Sequence, residues 1–387
     1  MHQTFRHLMR GLGALLLLLA VGVHGVAQEG DEEKRPAVPQ GMYDKPYIKK
    51  FGGAAVGGYI DMEWEITDEK NTFDQHRFIP FIFSEVTPRV HFATEIEFEH
   101  GGRVPEGGGE IKLEFAALDI RFTDWLVYRG GVILAPLGKF NLVHDSPWND
   151  FTTRPLVDQE LIPTTLSESG MGFHGEIYPS QASVLGYEIY LVNGFNEGIL
   201  AGGPGGFVVR MENGTGSLES DNNIGKSVVS RVVYSPFLGF EVGASVHTGT
   251  YDDDDEHRLT IGALDASLTR GPFELLAEGA VSSTGLPGDE SLGQLGFYLQ
   301  PNFHFGFGLI PGFPNSKFTA MARLGYVDFN QDLDGERTTR FTAGINWRPV
   351  EEAAVKMEYV LETDTPRGTT DPNDGQGTFF FGFASYF

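Results

Sequence analysis

From Ala54 onward apolar and polar residues alternate with a period of two, the repeat of an extended strand whose successive side chains point to opposite faces. In YIDMEWEI, Asp61, Glu63 and Glu65 alternate with Ile60, Met62, Trp64 and Ile66. In RVHFATEIEFEH, Arg89, His91, Glu95, Glu97 and Glu99 oppose Val90, Phe92, Ile96 and Phe98. KFTAMARLGY sets Lys317 and Arg323 against Phe318, Ala320, Leu324 and Tyr326, and TRFTAGINWR sets Arg340, Asn346 and Arg348 against Phe341, Ala343, Ile345 and Trp347. Each segment is therefore a strand with one charged and one apolar face.

Alternation alone also fits a β-sandwich, so segment length, turn asymmetry and number must discriminate. The segments run about 10 to 13 residues, longer than the strands of globular sheets and suited to a tilted bilayer crossing. Short links (86–88, 123–124, 236–239, 270–272 and 349–352) exchange with long polar ones (101–109, 137–169, 193–225, 251–256, 283–290, 330–337 and 364–377). Short turns at one rim and long loops at the other are the mark of an outer-membrane barrel. Sixteen strands are predicted, starting near residues 54, 73, 88, 110, 125, 170, 184, 226, 238, 257, 272, 291, 317, 338, 353 and 378. The stretch 300–316 sits where a short turn is expected; it is either a longer turn or a strand pair, which leaves eighteen open. The expected fold is all-β: a transmembrane antiparallel β-barrel over 51–387, with long extracellular loops and short periplasmic turns.

The first residues, MHQTFRHLMRGLGALLLLLAVGVHGVAQEG, have a basic start, an apolar stretch too short to span a bilayer, and small residues Gly25 and Ala27 placed for cleavage. Residues 1–27 are expected to be a signal peptide and 28–50 a flexible periplasmic lead segment. No later stretch has the length and apolarity of a spanning helix, so a membrane crossing must use strands. The chain has no cysteine, which excludes disulfides and thiolate chemistry, and 53 Asp plus Glu against 28 Lys plus Arg. That balance repels phosphate backbones and argues against nucleic acid as a partner.

A barrel of sixteen strands encloses a lumen wide enough for water, which needs polar side chains pointing inward. Arg89, Glu95, Glu97, Arg129, Arg323 and Arg340 are expected to line it. The connection 137–169 is too long for a turn and mixes Lys139, His144, Asp150 and Arg154 with aromatic and proline residues. Folded into the lumen, it would form a constriction.

Within this region, GGVILAPLGKFN (130–141), Arg154–Pro155, IPTT (162–165), ESGMGFHGEI and YLVNGFN (190–196) resemble the porins grouped with the phosphate-selective porins O and P. The resemblance is clearest over 125–196. It implies a homotrimeric, sixteen-stranded outer-membrane channel whose third extracellular loop forms the constriction. Phosphate selectivity does not follow, because selective members line the lumen with arginine and lysine, whereas the inward faces here are rich in carboxylates, which favour cations. The expectation is a weakly selective diffusion pore for small hydrophilic solutes or ions, with an anion-selective porin as the alternative.

Other chemistry is weaker. Asp252, Asp253, Asp254 and Asp255 in YDDDDEH, and the run NQDLDGE, are calcium-like in composition but lack a full calcium-loop spacing; they read first as solvated loops, and no metal or cofactor is expected. A barrel hydrolase is a distant alternative, since GxSxG is absent and strand spacing places neither His91 nor His174 near a serine. The chain ends FFFGFASYF, with Phe379, Phe381, Phe383 and Phe387 on one face. This is expected to be the closing, lipid-facing strand, with Phe387 as the signal read by the barrel-assembly machinery.

Overall fold

The computed structural model describes residues 49–387 apart from 52–53, 103–107, 204–205 and 289. The expected signal peptide and nearly all of the lead segment lie outside the described residues. The period-two segments form sixteen barrel strands: β1 (Ala54–Ile66), β2 (Asn71–Thr87), β3 (Val90–Glu99), β4 (Ile111–Thr123), β5 (Leu126–Leu134), β6 (Ser167–Ser180), β7 (Ser183–Val192), β8 (Ser227–Phe237), β9 (Phe240–Thr250), β10 (Arg258–Arg270), β11 (Phe273–Leu286), β12 (Glu290–Phe305), β13 (Lys317–Asp328), β14 (Arg337–Val350), β15 (Ala353–Thr365) and β16 (Gln376–Tyr386). Each pairs antiparallel with its chain neighbours, and β16 pairs with β1 from Phe379↔Ile66 to Tyr386↔Tyr59. Closure leaves no strand edge with unpaired backbone groups, the condition a sheet must meet in lipid. A short strand, Lys49–Phe51, folds back on the start of β1.

The rims are asymmetric. At one end the strands are joined by two-residue turns at 88–89, 124–125, 181–182, 238–239, 271–272 and 351–352, with one longer link, 306–316. That link resolves the stretch 300–316 in favour of a longer turn: β12 runs to Phe305, and Gly306, Gly308 and Gly312 then take left-handed φ values of 64°, 63° and 89°. No extra strand pair lies there, so the count is sixteen, not eighteen. Eight connections emerge at the other end, the longest being 135–166 and 193–226.

Polarity is inverted relative to a soluble protein. Phe78, Ile82, Leu324, Phe341, Tyr359, Phe381 and Phe383 are exposed on the outer surface, while Asp61, Glu95, Glu97, Arg129, Asp265, Arg323 and Lys356 are buried inside. The inside is not uniformly polar, however. β2 turns Ile79, Phe81 and Phe83 inward as well as Phe78 and Ile82 outward, and the inward set joins Leu137, Leu142, Leu156, Val157, Leu161 and Ile162 of the 135–166 connection in one buried cluster. The hydrophobic core therefore lies within the barrel, where an inserted loop has an apolar underside to cover.

The seam is fitted around the last residue. The Phe387 amide donates to Gly58 O at 2.9 Å, and its ring stacks on Phe78 at 5.8 Å between centroids, with 9° between planes. A Cβ on Gly58 would stand 2.5 Å from Phe387 Cζ and 2.6 Å from Ile79 O, so only glycine leaves room for the closing ring. Gly58→Val should accordingly destabilise the closed barrel by about 1–3 kcal/mol, the usual cost of overpacking. The measurement is the urea midpoint of the heat-modifiable electrophoretic band; an unchanged midpoint would show that the seam tolerates the extra bulk.

Candidate functional site

The connection 135–166 leaves β5, crosses the interior and returns to β6, held along its course by side chains of the opposite wall. Gly138 N donates to Ser245 Oγ at 2.9 Å, and the amides of Lys139 and Phe140 converge on Glu278 Oε2 at 2.9 and 3.0 Å. The amides of Thr152 and Thr153 reach the two oxygens of Glu358 at 2.6 and 3.0 Å. Its carbonyls are taken by cations: Lys356 Nζ bonds Ser146 O (2.7 Å) and Phe151 O (2.9 Å), Arg348 bonds Pro147 O (2.6 Å) and Trp148 O (3.0 Å), and Arg323 bonds Thr153 O (2.7 Å). Buried peptide groups with no secondary-structure partner thus find ionised ones, and charged hydrogen bonds are the stronger kind. Arg323 also lies over the Phe151 ring, 4.6 Å from its centroid.

The residues singled out in the sequence divide by location. Lys139, His144, Asp150 and Arg154 sit on this loop, and Arg323 and Arg340 on the wall that holds it. Lys139 Nζ reaches Ser267 Oγ at 2.8 Å and Glu241 Oε1 at 2.9 Å. Asp150 accepts from Asn346 (2.6 Å), Asn302 (3.0 Å) and Arg348 (3.1 Å), and Arg340 bridges Gln159 Oε1 of the loop (2.5 Å) to Glu362 (2.5 Å). Arg154 donates one N–H to Thr164 O, while its Nε and remaining terminal nitrogen meet no partner among the described residues. Glu95 and Glu97 face inward on β3, Glu97 accepting from Arg77 at 2.8 Å. Arg129 makes a two-pronged pair with Asp119 (2.8 Å to each oxygen), which His174 also approaches at 3.0 Å.

Arg89 is a correction. It stands exposed in the two-residue turn between β2 and β3, outside both strands, because the alternation that carried it inward does not continue through a turn.

Other groups were missed. Glu114 faces His144 at 3.2 Å, and both side chains are completely buried. It escapes a period-two reading because of a β-bulge: Glu95 pairs with Phe115 and Ile96 with Leu113, so Glu114 and Phe115 both turn inward. The second long connection, 193–226, also dips inside. Val209 and Met211 are buried in the same apolar cluster, and Gln294 donates to Val209 O at 3.1 Å. A local pattern does not report that contact.

The acidic loop is organised by its own carboxylates. Asp252 accepts from the amides of His257 (2.7 Å) and Glu256 (3.1 Å) and lies 2.9 Å from His257 Nδ1. Asp255 accepts from Gly225, Ile224 and Thr250, and Asp253 from Asn222. Asp252, Asp253, Asp254 and Asp255 do not converge on a point that would hold an ion.

No family model matches the chain. Over 153 residues it is 35% identical to an uncharacterized protein of Aquifex aeolicus (strain VF5), a match over 38% of this chain and 33% of that relative, so the chain spans about a third of the relative's length. Among solved structures it is similar to an anion-selective porin from Comamonas acidovorans (TM-score 0.57, 9% identity, 86% of this chain and 99% of that one). It is also similar to the outer membrane channel DcaP of Acinetobacter baumannii (TM-score 0.55, 12% identity, 88% and 99%). A third is the trimer form of OmpT, an outer membrane protein of Vibrio cholerae (TM-score 0.51, 10% identity, 86% and 99%). At these identities the likeness establishes the outer-membrane barrel fold.

Two predictions follow the geometry. Lys356→Met removes a charged donor from two loop carbonyls, at a cost of about 1.5–3 kcal/mol for each such bond; hydrogen exchange should accelerate at 146–153 while the strands stay protected, and unchanged loop exchange would discount the anchor. The second concerns pH. Burial would raise the Asp252 carboxyl, but the hydrogen bonds from His257 and Glu256 outweigh it and hold the group below its ordinary 3.8. A depressed carboxyl stabilises above its unfolded value and loses that contribution as pH falls through the folded one. The protection of the His257 and Glu256 amides, measured against the intrinsic exchange rate at each pH, should therefore be high at neutral pH and fall progressively below about pH 4.

Proposed function

We propose that the chain forms a water-filled diffusion channel in the outer membrane of a Gram-negative-type bacterium, weakly selective and passing small hydrophilic solutes or ions. One observation carries the reading: a closed sixteen-stranded barrel, apolar outside and ionised inside, holds the 135–166 connection across its interior by contacts with β4, β9–β15 and β1. A loop so tethered narrows the passage, and the segment 137–169 serves as the constriction. Weak selectivity is supported by how the inward charges are engaged. Arg323, Arg348 and Lys356 are bonded to loop carbonyls, and Arg231 is bonded to Asp265 (2.5 and 2.8 Å). Such cations present little free positive field to an anion. The inward faces also carry Asp61, Glu97, Glu278 and Glu358, and carboxylates on a pore wall tilt the field toward cations.

An anion-selective pore is the second reading, and Arg154 favours it: this loop arginine keeps two donor nitrogens without protein partners among the described residues. Homotrimer assembly, contact with outer-membrane lipids through the apolar belt, and recognition of Phe387 by the assembly machinery belong to the same proposal. The tapered Phe381, Phe383 and Phe387 face supports the last two.

Single-channel recording of the purified protein in a planar bilayer tests both readings. The expected result is stepwise conductance with a reversal potential, in a tenfold salt gradient, that lies closer to zero than to an ideal cation electrode. Absence of steps would remove the pore. A strong anion potential that collapses in Arg154→Gln would replace weak selectivity with the second reading.

A further inference from the structure

β2 carries a second bulge. Asp61 of β1 pairs with Arg77, but Glu63 pairs with Asp74, so Gln75 and His76 together oppose Met62 alone. The sequence FDQHRF reflects this: Phe73 and Phe78 are both exposed outside although an odd number of positions separates them, which strict alternation forbids. The extra residue brings His76 to the side where Asp61 and Glu63 already lie. One donor atom from each of Asp61, Glu63 and His76 then falls within 4.8 Å of the others.

We infer that Asp61, Glu63 and His76 form a binding site for a borderline first-row dication such as Zn²⁺, at the point where the inserted loop meets β1. One imidazole nitrogen with two carboxylates is the donor set of such ions rather than of calcium or magnesium, which take oxygen alone. Four observations support it beyond proximity. The cations nearest these carboxylates are engaged elsewhere: Arg77 is bonded to Glu97 and Glu99, and Lys356 to loop carbonyls. Asp61 and Glu63 are more than nine-tenths buried, and the near partner of Glu63 is His76 itself. His76 Nδ1 and Glu63 Oε1 form a close pair at 2.5 Å, so a ring nitrogen and a carboxylate oxygen are held at one point, where a dication can take the place of the shared proton. The His76 ring is also braced, stacking on His100 (5.6 Å, 27°), whose Nδ1 in turn lies 2.8 Å from Asp74.

Ligand atoms sharing a Zn²⁺ at about 2.0–2.1 Å stand roughly 3.3 Å apart. Binding therefore requires the His76–Glu63 pair at 2.5 Å to open and Asp61 to draw in. Three protein ligands leave coordination open to water, and the His76 side chain is 21% exposed, which provides access. Asp61 Oδ2 also accepts from Ser146 Oγ of the loop at 2.5 Å, so an ion held here ties the loop to the β1–β2 wall.

The test uses the purified full-length protein in detergent, titrated with Zn²⁺ alone by calorimetry, with Mg²⁺ as the control, and followed by hydrogen exchange. It does not depend on the pore conducting, so it can fail while the channel reading stands. One Zn²⁺ should bind per chain, Mg²⁺ should not compete, and exchange around Ser146 should slow. His76→Ala and the gentler Glu63→Gln should each weaken binding by about tenfold or more, with heat-modifiable migration showing that both remain folded. His257→Ala, which alters the acidic-loop pair instead, should bind as the parent does. No saturable Zn²⁺ binding, parent-like affinity in both site variants, or loss of binding in His257→Ala would each overturn the assignment.

Discussion

The constraint on which this structure depends is that its charges are inside. A sheet closed in lipid turns its apolar face outward, so the ionised groups of the other face are gathered inside, where partners stabilise them. Some pair along the wall, as Arg129 with Asp119 and Arg231 with Asp265. Others are completed by the inserted loop, whose amides go to Glu278 and Glu358 and whose carbonyls go to Lys356, Arg348 and Arg323. Wall and loop are each unsatisfied without the other. Removing one anchor leaves both a bare charge and a bare peptide group.

The same constraint explains why the interior carries an apolar patch. A loop held only by polar contacts could slide among alternative partners, because hydrogen bonds are exchangeable. Leu156, Val157, Leu161 and Ile162 pack into the cluster that includes Tyr59, Ile79 and Phe81, and this selects one seating. The inward apolar face of β2 is the bed on which the loop rests.

How much of this was legible in the chain follows from range. All sixteen strands begin within three residues of the starts read from alternation, because alternation is a property of neighbours. The loop's length was visible, but its anchors lie far away in sequence, Phe140 being 138 residues from Glu278 and Ser146 210 from Lys356, and no local pattern encodes such a pairing. Glu114 and His76 were hidden by single-residue bulges that flip the phase of a strand. Arg89 was misplaced for the complementary reason: a phase was carried into a turn where none exists. A mismatch of parity between outward aromatics, as at Phe73 and Phe78, is the sequence signal that could have found one of these bulges.

The seam has a consequence for the order of folding. Fifteen of the strand junctions join neighbours in sequence, but β1 hydrogen-bonds to β16, the barrel strand farthest from it along the chain. The closing pair carries the largest loop-closure entropy of any junction, so it is the costliest contact to form before the others are in place. Until it forms, β1 and β16 each present an open strand edge. Closure of the cylinder is thus the step that the remaining fifteen junctions prepare.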